Sequence, residues 1–208
     1  MDYKGKKAAF YTLGCKLNFS ETSTIAGSFK AVGFDHVDFE EKADVYVINT
    51  CSVTNQGDKS SRNIIRKAAR QNPDAMVIVV GCYSQLKPDE VGHIEGVDIV
   101  LGTQEKFHIP AYLGELKKKE TTEIKTTRLA NIKNYHKAFS WGDRTRSFLK
   151  IQDGCDYYCS FCTIPFARGK SRNDNIQNTV AEAKKAVDKG FKEIILTGVN
   201  IGDFGKST

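Results

Sequence analysis

Six cysteines are the residues of this 208-residue chain best suited to chemistry: Cys15, Cys51, Cys82, Cys155, Cys159 and Cys162. The last three are crowded together as Cys155-Asp-Tyr-Tyr-Cys159-Ser-Phe-Cys162, with spacers of three and two residues. Thiolates hold iron–sulfur clusters, which normally offer four ligand positions. Three cysteines in one tight loop can hold three irons of a [4Fe–4S] cube and leave the fourth iron open to a substrate or cofactor. A closed zinc site needs four ligands, and the nearest histidine, His136, stands well outside the loop. Spacing alone leaves three readings open: a cluster, zinc with a distant fourth ligand, or merely reactive or buried thiols.

Cys15, Cys51 and Cys82 are 36 and 31 residues apart, a spacing that says little by itself. Their positions say more. Each follows a run that reads as a strand: Tyr-Thr-Leu-Gly-Cys15, Val-Ile-Asn-Thr-Cys51 and Val-Val-Gly-Cys82. In a parallel sheet all strand C-termini share one edge, where ligands bind. The three thiols would then meet at one spot, with Gly14 and Gly81 allowing tight turns there. Independent buried cysteines are the plainer alternative.

The elements that must position these residues follow from periodicity. Residues 8–13, 45–49, 76–80 and 98–101 read as strands, with an edge strand over 36–39. Helices are expected over 18–32, capped by Asn18 or Ser20 and stopped at Gly33, over 60–71, and over 109–116. Strands apolar on both faces and spaced by helices imply a parallel sheet covered on both sides, an α/β fold of three layers. A second βα pattern begins at residues 148–151, continues through a helix over 179–189, and reaches a strand at 193–197. It looks like the opening βαβ unit of a (β/α) barrel. The expected domains are 1–116, a basic linker 117–146, and the start of a barrel at 147–208.

Composition bounds the setting. The net charge of +6 is matched by the linker alone, where nine basic residues face three acidic ones. A solvated linker explains this, and so would a polyanionic partner. The helix carrying Arg62, Arg66, Lys67 and Arg70 is open to the same two readings. No apolar run approaches the ~18 residues of a membrane span, and no signal-peptide pattern opens the chain. A cytoplasmic protein is expected, in which six cysteines mean metal binding or catalysis rather than three disulfides.

The Cys-x3-Cys-x2-Cys loop after a strand, with Phe161 just before the third cysteine, resembles the radical S-adenosylmethionine (SAM) superfamily. There the open iron binds the amino and carboxylate groups of SAM, and an electron from the cluster cleaves SAM to a 5′-deoxyadenosyl radical. The resemblance implies that Phe161 lies near the adenine, and that Thr197 and Gly198 contact the SAM amino acid moiety. Without it, Phe161 could be a core residue and Gly198 a plain strand end.

The whole chain resembles the methylthiotransferase branch of that superfamily. The matching stretches are Thr12-Leu-Gly-Cys-Lys-Leu-Asn18, Asn49-Thr-Cys-Ser-Val-Thr54, Gly81-Cys82, Gly154 to Pro165, Ala167-Arg-Gly-Lys-Ser-Arg172 and Thr197-Gly-Val-Asn200. The resemblance implies two [4Fe–4S] clusters, one on Cys155, Cys159 and Cys162 and an auxiliary one on Cys15, Cys51 and Cys82. It also implies SAM as cofactor. The stretches Gly14 to Asn18 and Phe148 to Gly154 are most similar to the branch acting on threonylcarbamoyladenosine in tRNA. The implied reaction adds a methylthio group at C2 of that base, next to the anticodon. The implied partners are a tRNA anticodon stem-loop and an electron donor such as flavodoxin or ferredoxin, with no membrane and a monomeric state. Alternatives are isopentenyladenosine tRNA, a ribosomal-protein aspartate, or a non-catalytic cluster- or zinc-binding RNA module. A full barrel needs at least ~200 residues, so the chain reads as the N-terminal part of a longer enzyme, inactive by itself.

Overall fold

The computed structural model describes residues 2–141 and 145–206; Met1, residues 142–144 (with Asp143 and Arg144 of the expected linker) and 207–208 lie outside it. The first unit is built from β1 (Lys7–Thr12), α1 (Lys16–Ala31), β2 (Asp35–Val37), β3 (Val45–Thr50), α2 (Asn55–Gln71), β4 (Met76–Gly81), α3 (Cys82–Leu86), α4 (Pro88–Gly92), β5 (Ile99–Leu101) and β6 (Glu123–Lys125). Its sheet runs β2-β1-β3-β4-β5-β6, parallel throughout.

Alternation explains the layers. In β3 and β4 every residue is buried. Successive side chains point to opposite faces. Tyr46, Ile48, Val77 and Val79 pack with Ile65 and Ala68 of α2 and Val91 of α4. Val45, Val47, Ile78 and Val80 pack with Ile25 and Phe29 of α1 and with Ile109. Each buried aliphatic side chain contributes roughly 1.5–3 kcal/mol, so both faces need a helical cover. This is the expected three-layer α/β sheet.

Several boundaries differ from expectation, each for a local reason. Helix α1 begins at Lys16, with Cys15 itself at the N-cap position. The Asn18 amide, expected to cap, is instead drawn inward to donate to the Leu13 and Thr50 carbonyls at 2.8 and 3.0 Å. Helix α2 starts five residues early because the Thr54 hydroxyl accepts from the Gly57 N–H at 3.0 Å. The helix expected over 109–116 is a tighter 3₁₀ segment at Glu105–Tyr112 that kinks at His108, since Pro110 lacks an N–H and disfavours helical backbone before it.

The basic segment is not a free tether. Residues Glu123–Lys125 add β6 to the sheet edge. Lys118 reaches the buried Asp98 carboxylate at 2.7 Å, and Lys119 and Lys125 pair with Glu123. Lys117, Lys137 and Arg146 also have acidic partners. The local surplus of charge is largely folded back onto neighbouring carboxylates.

The second unit starts with β7 (Arg146–Lys150), β8 (Gln152–Asp153), α5 (Ile164–Arg168), β9 (Arg172–Asn173), α6 (Ile176–Asp188) and β10 (Glu193–Thr197). Strands β7 and β10 pair in parallel, Leu149 beside Leu196. With α6 as the crossover they form the expected βαβ unit. Among the described residues, no helix is long and apolar enough to cross a membrane.

Candidate functional site

Strand register brings the first three cysteines together. Strands β1, β3 and β4 are neighbours, with Thr12 beside Asn49 and Thr50 beside Gly81. Cys51 and Cys82 are the next residues of β3 and β4, and Cys15 sits three residues past β1. All three therefore stand on the C-terminal edge of the sheet. Gly14 and Gly81 hold φ of +95° and +102°, which side chains rarely adopt. A Cβ at Gly14 would lie 2.8 Å from the Cys51 Sγ, so the Cys51 thiol packs directly on the turn that delivers Cys15. Asn18 ties the β1 and β3 loops together through its two hydrogen bonds.

All six cysteines are free thiols. Cys15 and Cys159 are exposed, Cys82 is buried, and the others are half-buried. Burial pushes the Cys82 thiol up, with Cys15 and Cys51 adding to the rise and Arg168 and Lys106 opposing it.

Cys15, Cys51 and Cys82 line an open cleft of about 810 Å³. Leu196-Thr197-Gly198-Val199, from the end of β10 and the turn beyond, line it as well. Thr197 and Gly198, from the second unit, thereby line the same cleft as Cys15, Cys51 and Cys82 of the first. Gln152 fixes that turn: its Oε1 accepts from the Val199 and Asn200 N–H groups, both at 2.9 Å. Its Nε2 donates to the Gly154 carbonyl at 2.7 Å and to Ser171 Oγ at 3.0 Å.

The Cys155–Cys162 loop lies beside this cleft, and none of its cysteines lines it. The loop is pinned at one end by the Cys155 N–H donating to Gly169 O at 3.0 Å. The Cys162 N–H donates to Cys159 O at 2.9 Å, curling the two thiols into one turn. Thr163, next to Cys162, makes a long 3.4 Å hydrogen bond to the carbonyl of Ser52, next to Cys51. The two cysteine sets are therefore neighbours across the domain boundary. Phe161 is 88% exposed, so it is not a core residue.

Behind the cleft lies a buried ionic cluster that sequence reasoning missed. Glu21 of α1 meets Lys106 at 2.6 Å, Lys150 at 2.8 Å and Arg168 at 3.1 Å. Asp153 meets Lys150 and Arg168 at 2.8 Å each and Arg172 at 2.9 Å. Burial alone would raise both carboxyls, but these cations outweigh it and hold both well below the usual range. Arg168 also donates to Asn18 Oδ1 at 2.6 Å. The helix α2 is less available as a basic face than its sequence suggests. Arg62 pairs with Glu90, and Lys67 with Glu40.

Three thiols in each set is the donor count of a cluster with one open iron, whereas a closed zinc site takes four ligands. Among the described residues, no three His, Cys, Asp or Glu side chains are gathered as for a single metal ion, and no fourth such residue lines the cleft. A cube takes one thiolate per iron and so accepts ligands spread around its corners.

Comparison with known proteins agrees with this arrangement. Residues 7–102 match the family described as "Uncharacterized protein family UPF0004", and residues 149–204 match the radical SAM superfamily. The chain is 46% identical over 202 residues to a threonylcarbamoyladenosine tRNA methylthiotransferase of Bacillus subtilis, covering 95% of this chain and 44% of that protein. It is 41% identical to the Aquifex aeolicus protein of the same name, covering 96% of this chain and 49% of that one. It thus spans about half the length of these relatives. In fold it resembles the radical SAM methyltransferase TsrM of Kitasatospora setae, with a TM-score of 0.60 at 12% identity, covering 94% of this chain and 48% of that one. The chain thus joins a segment matching UPF0004, which carries Cys15, Cys51 and Cys82, to a segment matching the radical SAM superfamily, which carries Cys155, Cys159 and Cys162.

Proposed function

We propose that the enzyme to which this chain belongs is a tRNA methylthiotransferase acting at C2 of N6-threonylcarbamoyladenosine next to the anticodon. The carrying observation is the cleft lined together by Cys15, Cys51 and Cys82 of the first unit and Thr197 and Gly198 of the second. The names of the relatives support the choice of substrate.

In this reading Cys155, Cys159 and Cys162 hold one [4Fe–4S] cluster, and Cys15, Cys51 and Cys82 hold the auxiliary one. When bound, these clusters and SAM supply the radical and the sulfur. The protein's own residues set the geometry. Gln152 holds the turn after β10 so that Thr197 and Gly198 meet the amino acid part of SAM. The exposed Phe161 ring is free to lie against the adenine. Arg168, Glu21 and Asp153 lock the second unit onto the first, which fixes the separation of the two thiol sets. An electron donor such as flavodoxin or ferredoxin is required, and a monomeric, cytoplasmic enzyme suits a tRNA substrate.

Mass spectrometry of tRNA nucleosides tests the substrate, with the full-length gene present or deleted. Loss of 2-methylthio-N6-threonylcarbamoyladenosine on deletion is the expected result. Its persistence would remove the substrate assignment. Iron and sulfide counting on the anaerobically reconstituted enzyme separates this reading from a zinc-binding RNA module, since two cubes hold on the order of eight irons.

A further inference from the structure

The buried ionic cluster does not balance. Glu21 and Asp153 face Lys106, Lys150, Arg168 and Arg172, and every one of these side chains is at most 9% exposed. Each cation has a carboxylate partner, but two carboxylates shared among four cations leave a net charge of +2 in a buried site. Burying net charge is costly, so this surplus favours an anion close by.

The groups packed around it add little: Asp174, which acts on the neighbouring Tyr135, is itself paired with Lys137 at 3.2 Å. Asn18 and the carbonyls of Arg168 and Lys170 are neutral acceptors. The Phe107 ring lies 5.3 Å from Lys106 Nζ and 5.4 Å from Lys150 Nζ, and the Tyr135 ring lies 5.4 Å from Lys150 Nζ. These rings soften the burial of the two ammonium groups but carry no charge. Toward the cleft the situation changes. Arg168 lines the same cleft as Cys15, Cys51 and Cys82, and no Asp or Glu lines it among the described residues. Beyond Glu21 and Asp153, the acidic groups that share a cleft with Arg168 are the three thiols.

We propose that Arg168, backed by Lys106, Lys150 and Arg172, is the built-in counter-charge of the group held by Cys15, Cys51 and Cys82, and sets its reduction potential. The proposal rests on the auxiliary-cluster reading above. A cube held by three thiolates is a net anion, and its negative charge grows on reduction. Net charge and surroundings are among the levers that set such potentials. Positive charge held in a poorly screened site favours the reduced form. Arg168 acts here through its field and its hold on Asn18, as a positioning residue rather than a ligand. The same guanidinium is gripped by Glu21 of the first unit and Asp153 of the second, so the counter-charge exists only when the two units are docked.

The test uses the full-length enzyme with Cys155, Cys159 and Cys162 all replaced by alanine, so that a reconstituted cluster sits on the auxiliary cysteines. The readout is the midpoint potential from a redox titration followed by electron paramagnetic resonance. Arg168→Gln and Lys106→Met are each expected to lower the reduced-to-oxidised ratio about tenfold at fixed potential, about 59 mV for a one-electron couple, while Arg168→Lys stays within about twofold. Equal shifts for Arg168→Gln and Arg168→Lys, or no shift in any variant, overturn the proposal. Loss of iron in Arg168→Gln with retention in Arg168→Lys supports it. Loss in both, with the melting temperature unchanged, overturns it, because shape rather than charge then matters. A triple-alanine parent that binds no cluster at all would sink the auxiliary-cluster reading itself. That result is distinct from a loaded parent whose potential ignores Arg168.

Discussion

Arg168 grips Glu21 with both prongs of its guanidinium, Nη1 to Oε1 at 3.1 Å and Nη2 to Oε2 at 3.2 Å. The two residues are 147 positions apart in the chain, on α5 of the second unit and α1 of the first. A planar fork on a carboxylate fixes orientation as well as distance. One ion pair therefore sets how the two cysteine-bearing units face each other.

Breaking that pair from the acidic side is expected to be severe. Glu21→Gln leaves Lys106, Lys150 and Arg168 facing one carboxylate fewer. Removing one partner of a buried ion pair costs about 3–5 kcal/mol. The denaturant midpoint of the metal-free protein should fall accordingly. Lys106→Met lowers the positive surplus instead of raising it, and should cost clearly less. Equal losses for the two variants would refute the charge imbalance.

Stability should fall with acid in two stages. His136 stacks on Phe107 at 4.3 Å. Burial, with help from Lys150, His108, Lys106 and Arg172, lowers its pKa from 6.5 to about 4. The unfolded chain therefore binds a proton at this site below about 6.5 that the folded chain refuses until about 4, so stability drops across that window as pH falls. Glu21 and Asp153 behave as depressed carboxylates. Their stabilisation is present above the unfolded values near pH 4 and is lost as pH drops further toward their folded values. His136→Phe keeps an aromatic partner for Phe107 and should flatten only the upper stage. An unchanged slope between pH 6.5 and 4 would assign that stage to another group.

Gly14→Ala should empty the auxiliary site while sparing the other. The new methyl would lie 2.7 Å from the Cys51 Cβ on a backbone with φ of +95°. Such strain costs on the order of 1–3 kcal/mol, and relief requires Cys51 to move off its neighbours. Iron content of the reconstituted full-length enzyme should fall from about eight per chain toward about four. Retention of the full complement would show that Cys51 has more freedom than this packing allows.

The two thiol sets should separate functionally. Cys159→Ala is expected to abolish formation of 5′-deoxyadenosine from SAM. Cys51→Ala should leave that cleavage within about threefold but stop methylthiolation of tRNA, since the radical and the sulfur come from different clusters. Product made by the Cys51 variant of the full-length enzyme would contradict the auxiliary assignment.

What was legible in the sequence was what is local. Strands β3 and β4 announce themselves because both faces are buried, which demands unbroken apolar runs. The cysteine positions followed from strand ends, because a parallel sheet gathers those ends on one edge. Strand β6 was hidden because an edge strand buries little: only Ile124 packs on the core, between Glu123 and Lys125. The ionic cluster was hidden for a different reason. Glu21, Lys106, Lys150 and Arg168 each read as an ordinary surface charge, and their pairing spans 85 to 147 residues. Gln152 likewise looks like any strand-end glutamine until the turn at Val199 and Asn200 folds onto it, 47 and 48 residues later.

The strand order carries a consequence for biosynthesis. After β1, with β2 on one side, each new strand joins the opposite edge in chain order, β3, β4, β5 and then β6. The sheet can therefore grow as the polypeptide leaves the ribosome, without waiting for distant partners. Cys15, Cys51 and Cys82 are assembled once β4 is laid down. Lys150, Asp153 and Arg168 emerge only afterwards, and Arg168 then lines the same cleft as those cysteines. The first three cysteines thus have their places on the sheet edge set by residues made before those of the second unit that share their cleft.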